Sequence, residues 1–288
     1  MIGEAACRGA ATIVNAIACG KGAALGITLE ADVRLDLNKG DGELSIEGTS
    51  EGQGLVSECV QEVARRAAVG PVYGRVAVRS DIPISRGLKS SSAVTNAATL
   101  GASLALNANL SDDALLGIAI DESIKAGVTV TGAFDDAAAC FHGGVAVTDN
   151  TERRILMTDR VDDQLEVVIH VPERRISKAD VTREMFADHR PQFEEALRMA
   201  MRREYAAAMS LNSKLCSAIL DIPNDVAELA MKNGAYAAGI TGTGPATVIL
   251  CSGNRAEALA ELIEDGEAEI LRARVNHTCS REVTPRLL

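Results

Sequence analysis

The feature that most constrains the fold of this chain is a short turn that leads directly into a long helical pattern. Residues 82–89 contain one proline and one glycine, and an Ala- and Leu-rich segment with helical spacing follows over residues 90–105. Three serines, residues 90–92, stand where that helix begins. The first N–H groups of a helix lack internal partners and lie at the positive end of its dipole. The turn therefore predicts an anion site, although a serine-rich cap on a core helix gives the same pattern.

Two well-known phosphate-binding loops do not account for this turn. The Walker pattern G-x-x-x-x-G-K-S/T does not occur in the chain, and the nearest segment, Gly20-Lys21-Gly22, has Asn15 at the first glycine position. The dinucleotide pattern G-x-G-x-x-G is also missing, and the glycine loop over residues 239–244 has the reverse spacing. Neither a P-loop nor a dinucleotide-binding fold is predicted.

Composition narrows the class of ligand. The formal net charge of −11 argues against nucleic acid, because an acidic surface cannot neutralise a run of phosphates. No apolar window approaches the roughly 18 residues of a membrane span, and the N-terminus does not resemble a signal peptide. The seven cysteines form no C-x-x-C pair and the four histidines do not cluster, so neither a disulfide framework nor a thiolate zinc site is predicted. We expect a cytoplasmic protein with neither a nucleic acid nor a membrane as partner.

The remaining patterns alternate between strands and helices and predict an α+β fold. Segments 33–37 and 43–47 alternate apolar and polar residues around a glycine-containing turn, which predicts a hairpin. Ser111 has the position of an N-cap for a helix over residues 112–125. Further helices are predicted at 55–68, 136–141, 191–209, 212–220, 224–233 and 255–265. Further strands are predicted at 75–79, 145–148, 165–171 and 268–276, with a strand–glycine loop–strand unit over 236–251.

The turn before the long helix resembles the phosphate loop of the GHMP kinases, whose pattern is P-x-x-x-G-L-G-S-S-A. The matching positions are Pro83, Gly87, Leu88, Ser90 and Ser91. Lys89 stands where the family usually has glycine, and Ser92 where it has alanine. The third family motif resembles the glycine loop over residues 241–246, and the first motif is loosely echoed over residues 9–22.

Within this superfamily, the segment Gly87–Ala93 and the downstream segment Thr129–Ala137 are similar to the archaeal-type shikimate kinases. That resemblance implies the two-domain GHMP architecture. A strand-rich N-terminal domain (1–150) would carry the phosphate loop, and a C-terminal domain (151–288) would place helices on an antiparallel sheet. It also implies phosphorylation of the 3-hydroxyl of shikimate by ATP. Homoserine kinase or another small-molecule kinase of the superfamily is the alternative, and a non-catalytic nucleotide-binding protein a more distant one.

The resemblance further implies a role for individual residues. Those expected to bind ATP are Pro83, Arg86, Gly87, Leu88, Lys89, Ser90, Ser91, Ser92, Ala93, Gly242, Thr243 and Gly244. Asp136 lies seven residues before Gly143, the spacing of the catalytic aspartate in mevalonate-type members, and Asp135 is its rival. Ser91 and Glu122 are expected to hold Mg²⁺, with Asp121 as the fallback for Glu122. An aspartate that merely caps a helix, and a glutamate on a solvated helix face, are the competing interpretations.

Overall fold

The computed structural model describes residues 1–49, 52–129, 132–176 and 180–286. They form a six-stranded sheet from the first part of the chain and a four-stranded antiparallel sheet from the second part, each covered by helices. The predicted α+β class is therefore confirmed.

Two long antiparallel strands form the centre of the first sheet. β1 (Ile2–Val14) pairs with β2 (Lys21–Lys39) along most of its length. β4 (Val72–Ser80) and β5 (Val145–Asp149) pair with different halves of the other edge of β2, and β6 (Arg154–Asp159) extends the sheet beyond β5. Most of β1 and β2 is buried on both faces. Such strands lack apolar–polar alternation, which explains why periodicity predicted only residues 33–37 of β2 and no part of β1.

The predicted hairpin between residues 33–37 and 43–47 is wrong. Both segments are strands, but β3 (Leu44–Glu47) pairs in parallel with β4 and makes no ladder with β2. Helix α1 (Gln53–Arg66) lies in the connection from β3 to β4, as a parallel pair requires. Alternation at period two predicts a strand, but it does not predict which other strand pairs with it.

Three further helices cover the first sheet. They are α2 (Ser90–Ala105), α3 (Asp112–Lys125) and α4 (Phe134–His142). Ser111 caps α3 as predicted, since its hydroxyl accepts a hydrogen bond from the amide of Ala114 at 3.3 Å.

Helix α2 lies unusually close to β1. A Cβ atom added to Gly3 would stand 2.2 Å from the carbonyl oxygen of Gly101, so glycine is required where the two backbones approach. The side-chain amide of Asn96, which is fully buried, donates to the carbonyl of Ala137 at 3.0 Å and ties α2 to α4. The small residues of α2 thus fix the position of the helix start relative to the sheet and to α4.

The second sheet has the strand order β10-β7-β9-β8, and all its neighbours are antiparallel. Its strands are β7 (Leu165–Pro172), β8 (Ala237–Ile240), β9 (Thr247–Ser252) and β10 (Ala268–Arg274). One continuous apolar core joins the two sheets, with Val14 of β1, Val167 of β7 and Val248 of β9 among its members.

The helices of the second part are α5 (Arg190–Met201), α6 (Tyr205–Leu220), α7 (Asp225–Lys232) and α8 (Gly253–Leu262). The predicted break between the first two was misplaced, because it falls at residues 202–204 rather than at 210–211. Residues 202–204 read Arg-Arg-Glu and include neither glycine nor proline, so the sequence does not mark the end of α5.

The division of the chain at residue 150 stays a prediction. Because β6 belongs to the first sheet, we propose that the boundary lies between β6 and β7 instead. Among the described residues, no helix combines the length and the apolarity needed to cross a lipid bilayer.

The contact between α2 and β1 leads to a prediction about stability. Gly3→Ala should destabilise the protein by about 1–3 kcal/mol, because the added methyl group would meet backbone atoms that cannot move independently. Gly117→Ala is the matched control, since nothing lies within 4 Å of its Cβ position in α3. That change should stabilise the helix by about 0.5–1 kcal/mol. Urea unfolding curves of both variants would test this, and equal midpoints would contradict it.

Candidate active site

A cavity of about 660 Å³ opens where loops from both sheets meet. Thr12 and Asn15 line it at the end of β1, and Asp135 and Asp136 line it at the start of α4. The turn before α2 and the loop between β8 and β9 also line it. The cavity therefore gathers segments that are far apart in the sequence.

The start of α2 is open to this cavity. Lys89 occupies the N-cap position in the left-handed conformation, with φ 66° and ψ 28°, and its side chain does not cap the helix. Ser90, Ser91 and Ser92 follow it and line the cavity. The unpaired amides of the first turn and the helix dipole can act on an anion there, which is the predicted arrangement.

The turn before α2 packs directly on the loop between β8 and β9. A Cβ atom on Gly87, where φ is +82°, would lie 2.0 Å from the carbonyl oxygen of Thr241. The hydroxyl of Thr241 donates to the carbonyl of Gly87 at 2.9 Å and accepts from the amide of Thr12 at 3.0 Å. The amide of Gly242 in turn donates to the hydroxyl of Thr12 at 2.8 Å. Three segments are thus joined at one point beneath the cavity.

Asn15 adds a further link of the same kind, because its side-chain amide donates to the carbonyl of Gly242 at 3.0 Å. Thr12 and Asn15 belong to the segment in which the sequence only loosely echoed the first family motif. The structure brings that segment to the site, and its contribution is made by two buried polar side chains.

The two adjacent aspartates at the start of α4 have different surroundings. The ammonium group of Lys89 lies 2.9 Å from Oδ1 of Asp136, and the two side chains are only 7% and 15% exposed. The contact is an ion pair without a well-aligned hydrogen bond, and no described donor is aligned with this buried oxygen. Asp136 thus lines the cavity while Lys89 holds its carboxylate beside the start of α2.

Asp135 is buried, and its carboxylate is hydrogen-bonded to a neutral side chain. Its Oδ1 accepts from the side-chain amide of Asn150 at 2.8 Å, and the oxygen of that amide accepts from the hydroxyl of Thr148 at 2.7 Å. Oδ2 lies against Gly22, where an added Cβ atom would stand 2.4 Å away. Burial first, and the negative charge of Asp136 second, raise the pKa of Asp135 to about 7.

Asn150, Thr148 and Gly22 were not predicted as site residues. Asn150 comes directly after β5 and Gly22 lies in β2, so neither is close in sequence to the motif around Asp135. A glycine inside a strand often marks close approach by another group, and Gly22 also belongs to the segment that loosely echoes the first family motif.

Most of the predicted nucleotide-binding residues line the cavity. They are Pro83, Gly87, Leu88, Lys89, Ser90, Ser91, Ser92, Gly242 and Thr243. Ala93 instead faces the core and is fully buried, and Gly244 forms the turn before Pro245 outside the cavity lining.

Arg86 also does not line the cavity. Its side chain donates from Nε to the carbonyl of Pro172 at 2.8 Å and from Nη2 to the carbonyl of Glu173 at 2.6 Å. The residue ties the phosphate-loop segment to the end of β7, so its predicted contact with the nucleotide is replaced by a structural one.

Glu122 lies away from the cavity, which corrects its predicted role as a metal ligand. It is buried in α3 with its carboxylate 2.7 Å from the ammonium group of Lys125. The fallback, Asp121, pairs with Arg153 at 2.7 Å and does not line the cavity either. The part of α3 that lies beside Ser91 and Ser92 presents Ala119, Ile120 and Ser123. Counting along a helix did not reveal which of its faces would be turned inward.

Comparison with known proteins identifies the family and the fold of the chain. Residues 54–144 match the model of the GHMP kinases N terminal domain, and residues 221–268 match that of the GHMP kinases C terminal. Among solved structures, homoserine kinase from Cytophaga hutchinsonii superposes with a TM-score of 0.73 at 17% identity, covering 96% of each chain. Mevalonate kinase of L. major in complex with R-mevalonate gives a TM-score of 0.74 at 16% identity, covering 96% of this chain and 97% of the other. At such identities the likeness concerns the fold alone.

Sequence similarity to curated proteins is stronger and spans nearly the whole chain. The shikimate kinase of Methanothermobacter thermautotrophicus is 35% identical over 281 residues, with 95% of each chain covered. That of Methanothrix thermoacetophila is 37% identical over 285 residues, covering 98% of this chain and 96% of the relative. The chain therefore belongs to the GHMP kinase superfamily and, within it, to the family of archaeal-type shikimate kinases.

Proposed function

We propose that this protein transfers the γ-phosphoryl group of ATP to the 3-hydroxyl of shikimate, giving shikimate 3-phosphate and ADP. The observation that supports this reaction best is the meeting of the open α2 start and the Lys89–Asp136 pair in one cavity. The choice of acceptor follows the full-length similarity to curated shikimate kinases. The cytoplasmic location stays a prediction.

The nucleotide phosphates bind at the start of α2 in this proposal. The free amides of the first turn and the serine hydroxyls supply hydrogen bonds, and the helix dipole supplies positive potential. Hydroxyl oxygens line this part of the cavity, and Mg²⁺ accepts such ligands. We assign Ser91 as the protein ligand that completes the shell of phosphate and water oxygens. When bound, Mg²⁺ offsets the negative charge of the phosphates.

Asp136 orients the acceptor hydroxyl and takes its proton. It lines the cavity close to the start of α2, where the nucleotide phosphates bind in this proposal. Asp135 is the weaker candidate, because its Oδ1 already accepts from Asn150 and its Oδ2 is packed against Gly22. Lys89 holds Asp136 in place and adds positive charge beside the phosphate-binding helix start.

The first test is a coupled assay of ADP release with shikimate, homoserine and mevalonate compared at equal concentrations. We expect turnover with shikimate and little with the other two. Homoserine kinase is the main alternative because proteins of that name share the fold. Turnover of homoserine without shikimate would overturn the proposed acceptor. ATP binding without turnover of any of them would favour a non-catalytic nucleotide-binding protein.

The second test concerns Asp136. Asp136→Asn should lower kcat by about 10²–10⁴-fold, the usual contribution of a positioned general base, and should leave ATP affinity nearly unchanged. Asp121→Asn is the matched control, since that carboxylate lies outside the cavity and should be dispensable for turnover. A variant of Asp136 with normal kcat would remove this residue from its assigned role.

The third test uses the raised pKa of Asp135. Between about pH 4 and pH 7 the folded protein holds a proton on Asp135 that the unfolded chain has lost, so this group lowers stability as pH rises. Asn cannot ionise, so the free energy of unfolding of Asp135→Asn should rise relative to that of the wild type when the pH is raised from 5 to 8. We expect a gain on the order of 1–3 kcal/mol. Thermal unfolding at both pH values measures it, and a pH-independent difference would contradict the assignment.

A further inference from the structure

The charges that line the cavity pose a problem for the acceptor. Shikimate carries a carboxylate, so it is an anion at neutral pH, and this inference rests on the proposed function. Asp135, Asp136 and Asp180 all line the cavity. An anion that enters beside carboxylates needs a cation to offset the repulsion and the loss of water.

Two cationic side chains line the cavity within the described residues, Lys89 and Arg175. Lys89 is nearly buried and paired with Asp136, at the N-cap of the phosphate-binding helix. Its positive charge therefore acts on Asp136 and on the phosphate-binding start of α2. The acceptor carboxylate, which belongs to the unreactive part of the substrate, must be recognised elsewhere.

Two neighbouring arginines lie outside the cavity lining. Arg86 donates to the carbonyls of Pro172 and Glu173, and Arg174 donates to the carbonyl of Asp221 at 3.1 Å. Neither residue lines the cavity. Arg175 therefore differs from Arg86 and Arg174 because its side chain lines the cavity, while the charge of all three is the same.

Arg175 enters the cavity just after the end of β7, from a different element than those that carry Lys89 and Asp136. Because Arg86 ties the phosphate-loop segment to the backbone at the end of β7, the position of Arg175 is linked to that of the phosphate site. Ile17 and Ile176 line the cavity as well and offer apolar contacts to a carbon ring. One rigid acceptor can then bind by its carboxylate at one place while its hydroxyl reaches Asp136 at another.

We propose that Arg175 binds the carboxylate of the acceptor and determines the preference of the site for an acid. The planar guanidinium group suits a carboxylate because it can donate two parallel hydrogen bonds, a geometry that lysine does not offer. Arg175 is thus a substrate-binding residue of this chain, separate from the groups that act on the phosphates.

The test combines a variant with a change of substrate. Arg175→Gln should raise the KM for shikimate about 10- to 100-fold, as expected for loss of a hydrogen bond between charged groups, and Arg175→Lys should restore only part of it. The KM for ATP should change by less than about twofold, which is far smaller than the expected rise in the KM for shikimate. Arg174→Gln is the matched control and should behave like the wild type. Shikimate methyl ester, which lacks the negative charge, should be a poor substrate for the wild type but should lose little further with Arg175→Gln.

The outcomes separate this inference from the proposed function. If the wild type phosphorylates shikimate but Arg175→Gln leaves its KM unchanged, or weakens acid and ester equally, the inference is overturned while the proposed function stands. A rise in the KM for ATP in place of that for shikimate would assign Arg175 to the nucleotide and overturn it too. If the wild type does not phosphorylate shikimate at all, the proposed function fails and the inference fails with it.

Discussion

The ion pair between Lys89 and Asp136 is the interaction on which the rest of the site depends. Both side chains are largely removed from water, and loss of one partner from such a pair typically costs about 3–5 kcal/mol, because the other charge is left without compensation. The pair connects the first residues of two helices, α2 and α4, which Asn96 also ties together. The group that orients the acceptor is therefore held in register with the helix start that binds phosphate.

The same pair explains why lysine is tolerated at an unfavourable backbone position. Lys89 has φ 66°, a conformation that glycine adopts freely and that costs other residues about 1–2 kcal/mol. The GHMP pattern usually has glycine there. Lysine lacks the backbone freedom of glycine at this position, but its ammonium group lies within ion-pair distance of Asp136. Strain of this kind is common at functional sites, where surrounding contacts offset it.

The sequence allowed those parts of the site to be predicted that depend on local signals. The start of α2, the serine run and the aspartates opening α4 each lie in one short segment, and all three line the cavity, while their roles stay predictions. Features that depend on distant partners were missed or misassigned. The face of α3 that carries Glu122 lies away from the cavity, and Arg86 faces the end of β7, because tertiary packing decides which way a side chain points. For the same reason β3 was given the wrong neighbour: alternation shows a strand but not its partner.

The cavity exists only when the two sheets are packed together. Its base is the hydrogen-bonded contact among Thr12, Gly87 and Thr241, which come from the first strand, the phosphate loop and the second sheet. The backbone of Thr241 can pack this closely on Gly87 because glycine has no side chain, and a Cβ atom there would lie 2.0 Å from the carbonyl oxygen of Thr241. A nucleotide held by the loops on both sides would add its own binding free energy to this contact, since it binds the assembled form alone. Substrate binding and the packing of the two sheets therefore stabilise each other, and that packing keeps the reacting groups aligned although they come from three distant segments.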